Sequence, residues 1–240
     1  RQLEWQLLGG RRTYDRDTRD AFNTSPGFLV TATAWKVGAD DRIVSNHGLP
    51  EHRLAGWQFK GGEWVRQWAV STRELSVEGV TLSPDGAQLA MFTRPTHGPR
   101  WWKQPMRLEV RDAGTAAVLA TGTYPYSYGP RLAFRPDGGQ AAAVYAMTLL
   151  AWELPAGAEP RRVQNDNRKH FTALAYHPDG RRLFATSNDE TVHVFDAGAL
   201  ARVGRYTWKL DRLSAVAVSP DGTLAAAGSA TGDAVVWDLD

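Results

Sequence analysis

Residues Phe171 to Asp196 read FTALAYHPDGRRLFATSNDETVHVFD, and this stretch decides the fold. Phe171, Leu174 and Tyr176 lead into the turn His177-Pro178-Asp179-Gly180. Proline presets φ for the first corner, Asp bonds its own backbone two residues on, and Gly tolerates positive φ, so the chain reverses sharply. A small-residue strand around Leu183-Phe184-Ala185 follows, then Ser187-Asn188-Asp189-Glu190-Thr191 as a second tight turn. Val192 to Asp196 is a third strand ending in an aromatic and an acid. Nothing in the stretch holds a helical period, so it reads as consecutive short strands.

The same units recur along the chain. Ser83-Pro84-Asp85-Gly86, Arg135-Pro136-Asp137-Gly138 and Ser219-Pro220-Asp221-Gly222 repeat the turn, and Ser25-Pro26-Gly27 reads as a decayed copy. The aromatic-acid strand end recurs as Trp5-Gln6, Trp57-Gln58, Arg111-Asp112, Trp152-Glu153 and Trp237-Asp238. With Phe195-Asp196 these lie 52, 54, 41, 43 and 42 residues apart, and a period of this length fixes the architecture before any local motif is weighed. Gly turns such as Asp112-Ala113-Gly114-Thr115 lead from each strand end into a more polar fourth strand. Four short strands per repeat predict an all-β chain, a β-propeller of four-stranded antiparallel blades, with about five blades and a partial one at the N-terminus. Residues 1–240 are expected to form one such domain.

Composition narrows function by exclusion. The absence of cysteine removes disulfides, thiolate metal sites and cysteine nucleophiles together. With 28 basic and 26 acidic residues the formal net charge is +2, so only the local distribution of charge can select a partner. No apolar run approaches the roughly 20 residues needed to cross a bilayer. The chain opens Arg1-Gln2-Leu3-Glu4-Trp5, without an initiator Met or an apolar signal region, so an upstream piece and a cytoplasmic location are expected.

At the Pro-Asp-Gly turns and the Trp-acid strand ends, the chain resembles the WD-repeat β-propeller family, over most of Val77 to Asp240. The resemblance implies seven blades most often, and it assigns Asp189 to the family's structural aspartate. Thr231 stands where the last repeat should carry that aspartate, Arg111 and Phe195 replace Trp, and the usual Gly-His before the first strand is essentially absent. The family's internal hydrogen-bond network is therefore expected to be incomplete in most blades. Leu3 to Leu8 reads as the tail of a blade, and Arg11 to Asp15 could supply a fourth strand to the last blade, removing an exposed edge.

The extra length of the early repeats points to a site. The interval from Ser25 to Ser83 is 58 residues and that from Ser83 to Arg135 is 52, against 42 for the last two, with the surplus assigned to loops at Trp35 to Arg53 and Thr93 to Gln104. A third segment, Tyr124 to Pro130, connects two blades beside them. Together they offer Trp35, Trp101, Trp102, Tyr124, Tyr126 and Tyr128 with Arg94, His97, Arg100 and Lys103. Aromatic and Arg side chains anchor interfaces because they bury large rigid areas and keep a polar handle. The expected function is a non-catalytic scaffold binding a protein or peptide through these loops, with no cofactor. The competing reading of the rings is that they fold back over their own blades. Arg168, Lys169, His170 and Arg212, from later connections, add an anionic partner surface to the expectation; nucleic acid ranks lower because no sequence-reading motif accompanies the charge.

The alternative is a propeller hydrolase or lactonase, or a metal-binding enzyme, with its site at the channel mouth. Asp40, Asp41, His47, Glu51 and His52 form a ligand-capable set in one segment. Against it, Asp85, Asp137, Asp179 and Asp221 belong to turns, no nucleophile elbow or phosphate-cradling loop is present, and no serine has a placed base.

Overall fold

A computed structural model describes residues 30–36, 42–47, 53–97, 103–127, 129–154 and 159–239, with side chains from residue 53 onward and that of Val44. The described residues form nineteen strands in five antiparallel sheets, each built in sequence order. The first sheet is β1 (Val30–Lys36), β2 (Arg42–His47), β3 (Arg53–Lys60) and β4 (Glu63–Ser71). The second is β5 (Leu75–Leu82), β6 (Gln88–Pro95), β7 (Met106–Asp112) and β8 (Val118–Tyr124). The third is β9 (Arg131–Phe134), β10 (Gln140–Tyr145), β11 (Thr148–Glu153) and β12 (Arg161–Gln164). The fourth is β13 (Phe171–Tyr176), β14 (Arg182–Ser187), β15 (Thr191–Asp196) and β16 (Arg202–Thr207). The fifth holds β17 (Leu213–Val218), β18 (Leu224–Ser229) and β19 (Ala234–Asp238). First strands lie side by side in the order β1, β5, β9, β13, β17, so the sheets stand as successive propeller blades. The segments Trp5-Gln6, Arg11 to Asp15 and Ser25-Pro26-Gly27 fall outside the described residues.

The four complete turns close as their residues dictate. Gly86, Gly138, Gly180 and Gly222 adopt φ of 71°, 73°, 72° and 77°. Each Gly N–H donates to the carbonyl of the residue three before it, at 2.8 to 2.9 Å. The Asp Oδ1 accepts the backbone N–H two residues on, at 2.9 Å for Ala87, 2.9 Å for Gly139, 2.8 Å for Arg181 and 3.1 Å for Thr223. Arg135 beside Asp137, and the Ser219 hydroxyl on Asp221, hold those carboxyls below the usual carboxylate range.

Between neighbouring sheets lie separate apolar cores, and alternation along one alanine-rich strand serves two of them. Ala141, Ala143 and Tyr145 of β10 face the second sheet, packing with Phe92, Leu108 and Val110. Ala142 and Val144 face the fourth sheet, packing with Phe171, Leu183 and Phe195. Side chains on a strand alternate faces, and small ones let both neighbours approach while excluding water. A polar clamp closes the same interface. Gln140, fully buried, accepts from the Tyr176 hydroxyl at 2.7 Å and donates to Glu153 at 2.8 Å and to the Ala197 carbonyl at 2.9 Å.

The family-type network is incomplete, as its decayed residues predict. Trp152 and Trp237 stand opposite Ala141 and Ala225, and neither indole N–H has an acceptor among the described residues. Arg111, in place of a Trp, turns to the buried Glu109 at 2.6 Å. Asp189 instead accepts from Asn167 of the preceding connection.

His193 on β15 is buried between Phe171, 5.6 Å away, and Phe195, 6.2 Å away, with both ring nitrogens lacking partners. Burial holds its imidazole below the usual 6.5, with Asp189 and Asp166 opposing that shift and Arg202 and Arg205 reinforcing it. The folded state therefore favours the neutral ring. Its contribution is intact above pH 6.5 and is lost as pH falls through the lowered folded value. We expect His193→Phe to remove this acid sensitivity and, by eliminating two unpaired buried nitrogens, to stabilise the chain by about 1 kcal/mol at neutral pH. Thermal unfolding at pH 7.5 and 5.5 measures both effects.

Candidate functional site

Antiparallel order sends the Pro-Asp-Gly turns to one end of the sheets. The β6–β7 loop and the sheet-to-sheet connections emerge at the other. At this looped end a repeated irregularity places side chains. Pairing of the first strand with the second skips one residue between Val77 and Gly79, between Phe171 and Ala173, and between Leu213 and Ala215. The skipped residues reach the second strand: Thr172 meets Thr186 at 2.9 Å and Ser214 donates to the Gly228 carbonyl at 3.4 Å. In the second sheet the skipped residue is Glu78, which takes the Arg94 Nε–H at 2.5 Å.

That ion pair sets the geometry of the site. The Arg94 guanidinium lies 5.6 Å from the centre of the Tyr126 ring, joining the end of β6 to the β8–β9 connection. An Arg over an aromatic face gains from the ring quadrupole while its planar charge stays oriented. The connection is held close because β5 carries Gly79, where a Cβ would lie 2.9 Å from the Pro130 carbonyl. His97 and Lys103 are exposed at this end, with His97 Nε2 3.9 Å from Glu74. Arg168, Lys169, His170 and Arg212 are likewise exposed in the later connections.

Two expected members stand elsewhere. Trp35 is not in a long loop: it belongs to β1 and pairs with Ile43, next to the reversal at residues 37–41, at the turn end of the sheet. Residues 42–47 are themselves a strand, so the supposed loop from Trp35 to Arg53 contains the first hairpin of the first sheet. The reversal between its first two strands thus falls at 37–41 and not at Ser25-Pro26-Gly27, which precede β1. A Pro-Gly signal marks a turn without saying which strands it joins. Tyr124 is the last residue of β8 and is buried, packing edge-on to Phe92 at 5.9 Å and against Tyr145 at 6.2 Å. Arg100, Trp101, Trp102 and Tyr128 lie outside the described residues. So do Asp40, Asp41, Glu51 and His52 of the ligand-capable set, while His47 belongs to β2. Among the described residues no three His, Cys, Asp or Glu side chains gather as a metal site. No helix among them is long and apolar enough to cross a membrane.

Sequence reading missed Glu78 and Gly79. Neither carried a signal, because a one-residue register skip is invisible in a strand whose apolar positions look regular.

Radial four-stranded sheets with these turns define a repeat protein of the propeller class. The family model for the WD domain, G-beta repeat, matches residues 159–196 and 205–238, which span β12 to β15 and the end of β16 to β19. Over these residues the chain is similar to the WD-repeat family. It is 26% identical over 98 residues to the guanine nucleotide-binding protein subunit beta of Oryza sativa, in both subsp. indica and subsp. japonica, a match covering 38% of this chain and 26% of that protein. It is 31% identical over 99 residues to Coronin-7 of Rattus norvegicus, covering 40% of this chain and 10% of that protein. The matched stretch thus spans about a quarter of the first relatives and a tenth of the other.

Proposed function

We propose that this protein is a non-catalytic, cytoplasmic interaction scaffold that binds a protein or peptide at the looped end of its second and third sheets, within one propeller unit. The observation that carries this reading is the largely buried Arg94–Tyr126 stack, anchored by Glu78, which holds the end of β6 against the β8–β9 connection beneath the exposed His97 and Lys103. Rigid rings and Arg cost little conformational entropy when a partner closes over them, which makes them the usual energetic centres of interfaces. The exposed His97 and Lys103, with Arg168, Lys169 and His170 on the same end, favour an acidic partner surface. Trp101, Trp102, Arg100 and Tyr128 belong to the same proposal through their sequence positions, between β6 and β7 and between β8 and β9. The hydrolase or metal-enzyme alternative needs convergent, available carboxylates, and Glu78, the acid at the second sheet's inner bulge, is held by Arg94.

A photo-crosslinking amino acid placed at Tyr126, and separately at Pro220 on the opposite end, tests the site in extract from the source organism. A discrete protein adduct is expected from the first position alone. Tyr126→Ala should then weaken binding of that partner about tenfold or more, the scale of an interface anchor. Adducts from Pro220 alone would overturn the placement.

A further inference from the structure

The connection from β12 to β13, residues 165–170, is held from both sides. Toward the third sheet, the N–H groups of Asn165 and Phe171 donate to the carbonyls of Met147 and Ala146 in the β10–β11 reversal, each at 2.8 Å. Toward the fourth sheet, the Asn188 N–H in the β14–β15 reversal donates to the His170 carbonyl at 3.0 Å, and the Asn188 Oδ1 accepts the His170 N–H at 3.1 Å. Asn165 Nδ2 donates to the Ser187 hydroxyl at 3.2 Å and to the Lys169 carbonyl at 3.0 Å, and Asn167 donates to Asp189. Arg168, at a φ of 59°, Lys169 and His170 are thereby exposed on a fixed backbone.

His193 stands where this connection meets the fourth sheet. Its ring is 2% exposed, edge-on to Phe171, the residue that follows the connection, and stacked on Phe195. Asn165 Oδ1, Asp189 Oδ1 and both His193 nitrogens are buried without hydrogen-bond partners among the described residues. An imidazolium carries two N–H donors and a charge, and a buried site that offers it no acceptor holds it at high cost. The charged groups acting on the ring are Asp189 of the β14–β15 reversal, Asp166 of the connection, and Arg202 and Arg205 of β16. They are two of each sign, and Asp166 is itself paired with Arg202 at 2.6 Å, so the surroundings do not offset the loss of water. Both carboxylates belong to the latched elements. A protonated ring therefore gains partners by opening there.

We propose that protonation of His193 unlatches the connection at residues 165–170 from the two reversals it bridges, so that acid loosens the Arg168-Lys169-His170 face. The latched state excludes the proton, whereas in the opened state the imidazole titrates near its ordinary value of 6.5. Opening is rare at pH 7.5 and rises as pH falls below 6.5, because the opened state binds more protons than the latched one. Acid thus weakens the hold of this face on an acidic partner. That last consequence rests on the docking surface proposed above; the latch itself does not.

Amide hydrogen exchange of the full chain at pH 7.5 and 5.5, corrected for intrinsic exchange rates, reads the latch. The opening equilibria of the Asn165, Phe171 and Asn188 N–H groups should rise together, by about tenfold at most over this interval. Those of Arg135 and Ser219, hydrogen-bonded in the turns of the third and fifth sheets, should change far less. In the same pH range the His193 ring signal, assigned by NMR through its contacts with Phe171 and Phe195, should shift along the curve that the three amides follow. His193→Phe keeps a ring in place without a site for the proton, and its three amides should respond no more than the turn amides. His170→Asn removes the exposed imidazole on the connection and should leave the response in place. An equal rise at all five amides overturns the proposal, as does no rise at the three, the same rise in folded His193→Phe, or its loss in His170→Asn. Should His193→Phe not fold, the native chain decides alone, and a His193 signal that stays fixed while the amides respond overturns the assignment. None of these outcomes depends on the crosslinking result at Tyr126.

Discussion

Gln140→Leu is expected to destabilise the chain by about 2–4 kcal/mol, because it leaves the Tyr176 hydroxyl and the Ala197 carbonyl without their buried partner. The size follows from asymmetry: net hydrogen-bond gains are modest, but a buried polar group stripped of its partner carries its full desolvation cost. Tyr176 is itself buried, and burial pushes its phenol above the usual 10.0, so it remains a donor well into alkaline pH. Tyr176→Phe alone leaves only the Gln140 oxygen short and should cost about 1 kcal/mol. In the double variant the hydroxyl no longer needs a partner, so the combined loss should fall short of the sum by about 0.5–2 kcal/mol. Denaturant midpoints for the four proteins of the cycle measure this. Strict additivity would show that the two residues do not act as one clamp between the third and fourth sheets.

Gly222→Ala should cost about 2–4 kcal/mol, against about 1 kcal/mol for Gly138→Ala, although the two glycines occupy the same turn position. Both have positive φ, 77° and 73°, so the backbone strain of an added Cβ is shared. Their surroundings differ. A Cβ at Gly222 would lie 2.7 Å from the imidazole of His177 in the preceding sheet's turn, whereas one at Gly138 meets nothing within 4 Å. His177 has little room to withdraw, since its Nδ1 is 2.8 Å from Asp179 and its Nε2 3.0 Å from the Gly222 carbonyl. The difference in thermal stability between the two variants therefore isolates the contact between adjacent sheets. Equal losses would mean that the turns of the fourth and fifth sheets do not touch.

What the sequence disclosed was whatever a single residue type enforces locally. Pro-Asp-Gly has one cheap geometry, and all four full copies adopt it. Small side chains suit a strand between close neighbours, and the stretch around Leu183-Phe184-Ala185 lies in β14, Arg182–Ser187. The site was less legible because its placement depends on register. Trp35 looked like loop because no full turn motif marks residues 37–41, yet it pairs within β1 and β2. Tyr124 looked like a loop aromatic because Pro125 follows it, yet it completes the core beside Phe92. Arg94 and Tyr126 approach each other, but the Glu78 bulge that aims Arg94 arises from strand pairing alone.

The side-by-side arrangement of repeated sheets is the claim on which the sites depend, and a chain without cysteine allows it to be measured directly. Spin labels on cysteines introduced pairwise at Ala87, Gly139, Arg181 and Thr223, each the residue after a turn glycine, report the spacing of successive sheets by pulsed electron resonance. Packed sheets stand about 10 Å apart. The account predicts narrow, similar distances for 87–139, 139–181 and 181–223, and longer, equally narrow ones for 87–181 and 139–223. Broad distributions, or a skipped pair closer than a neighbouring pair, would contradict it.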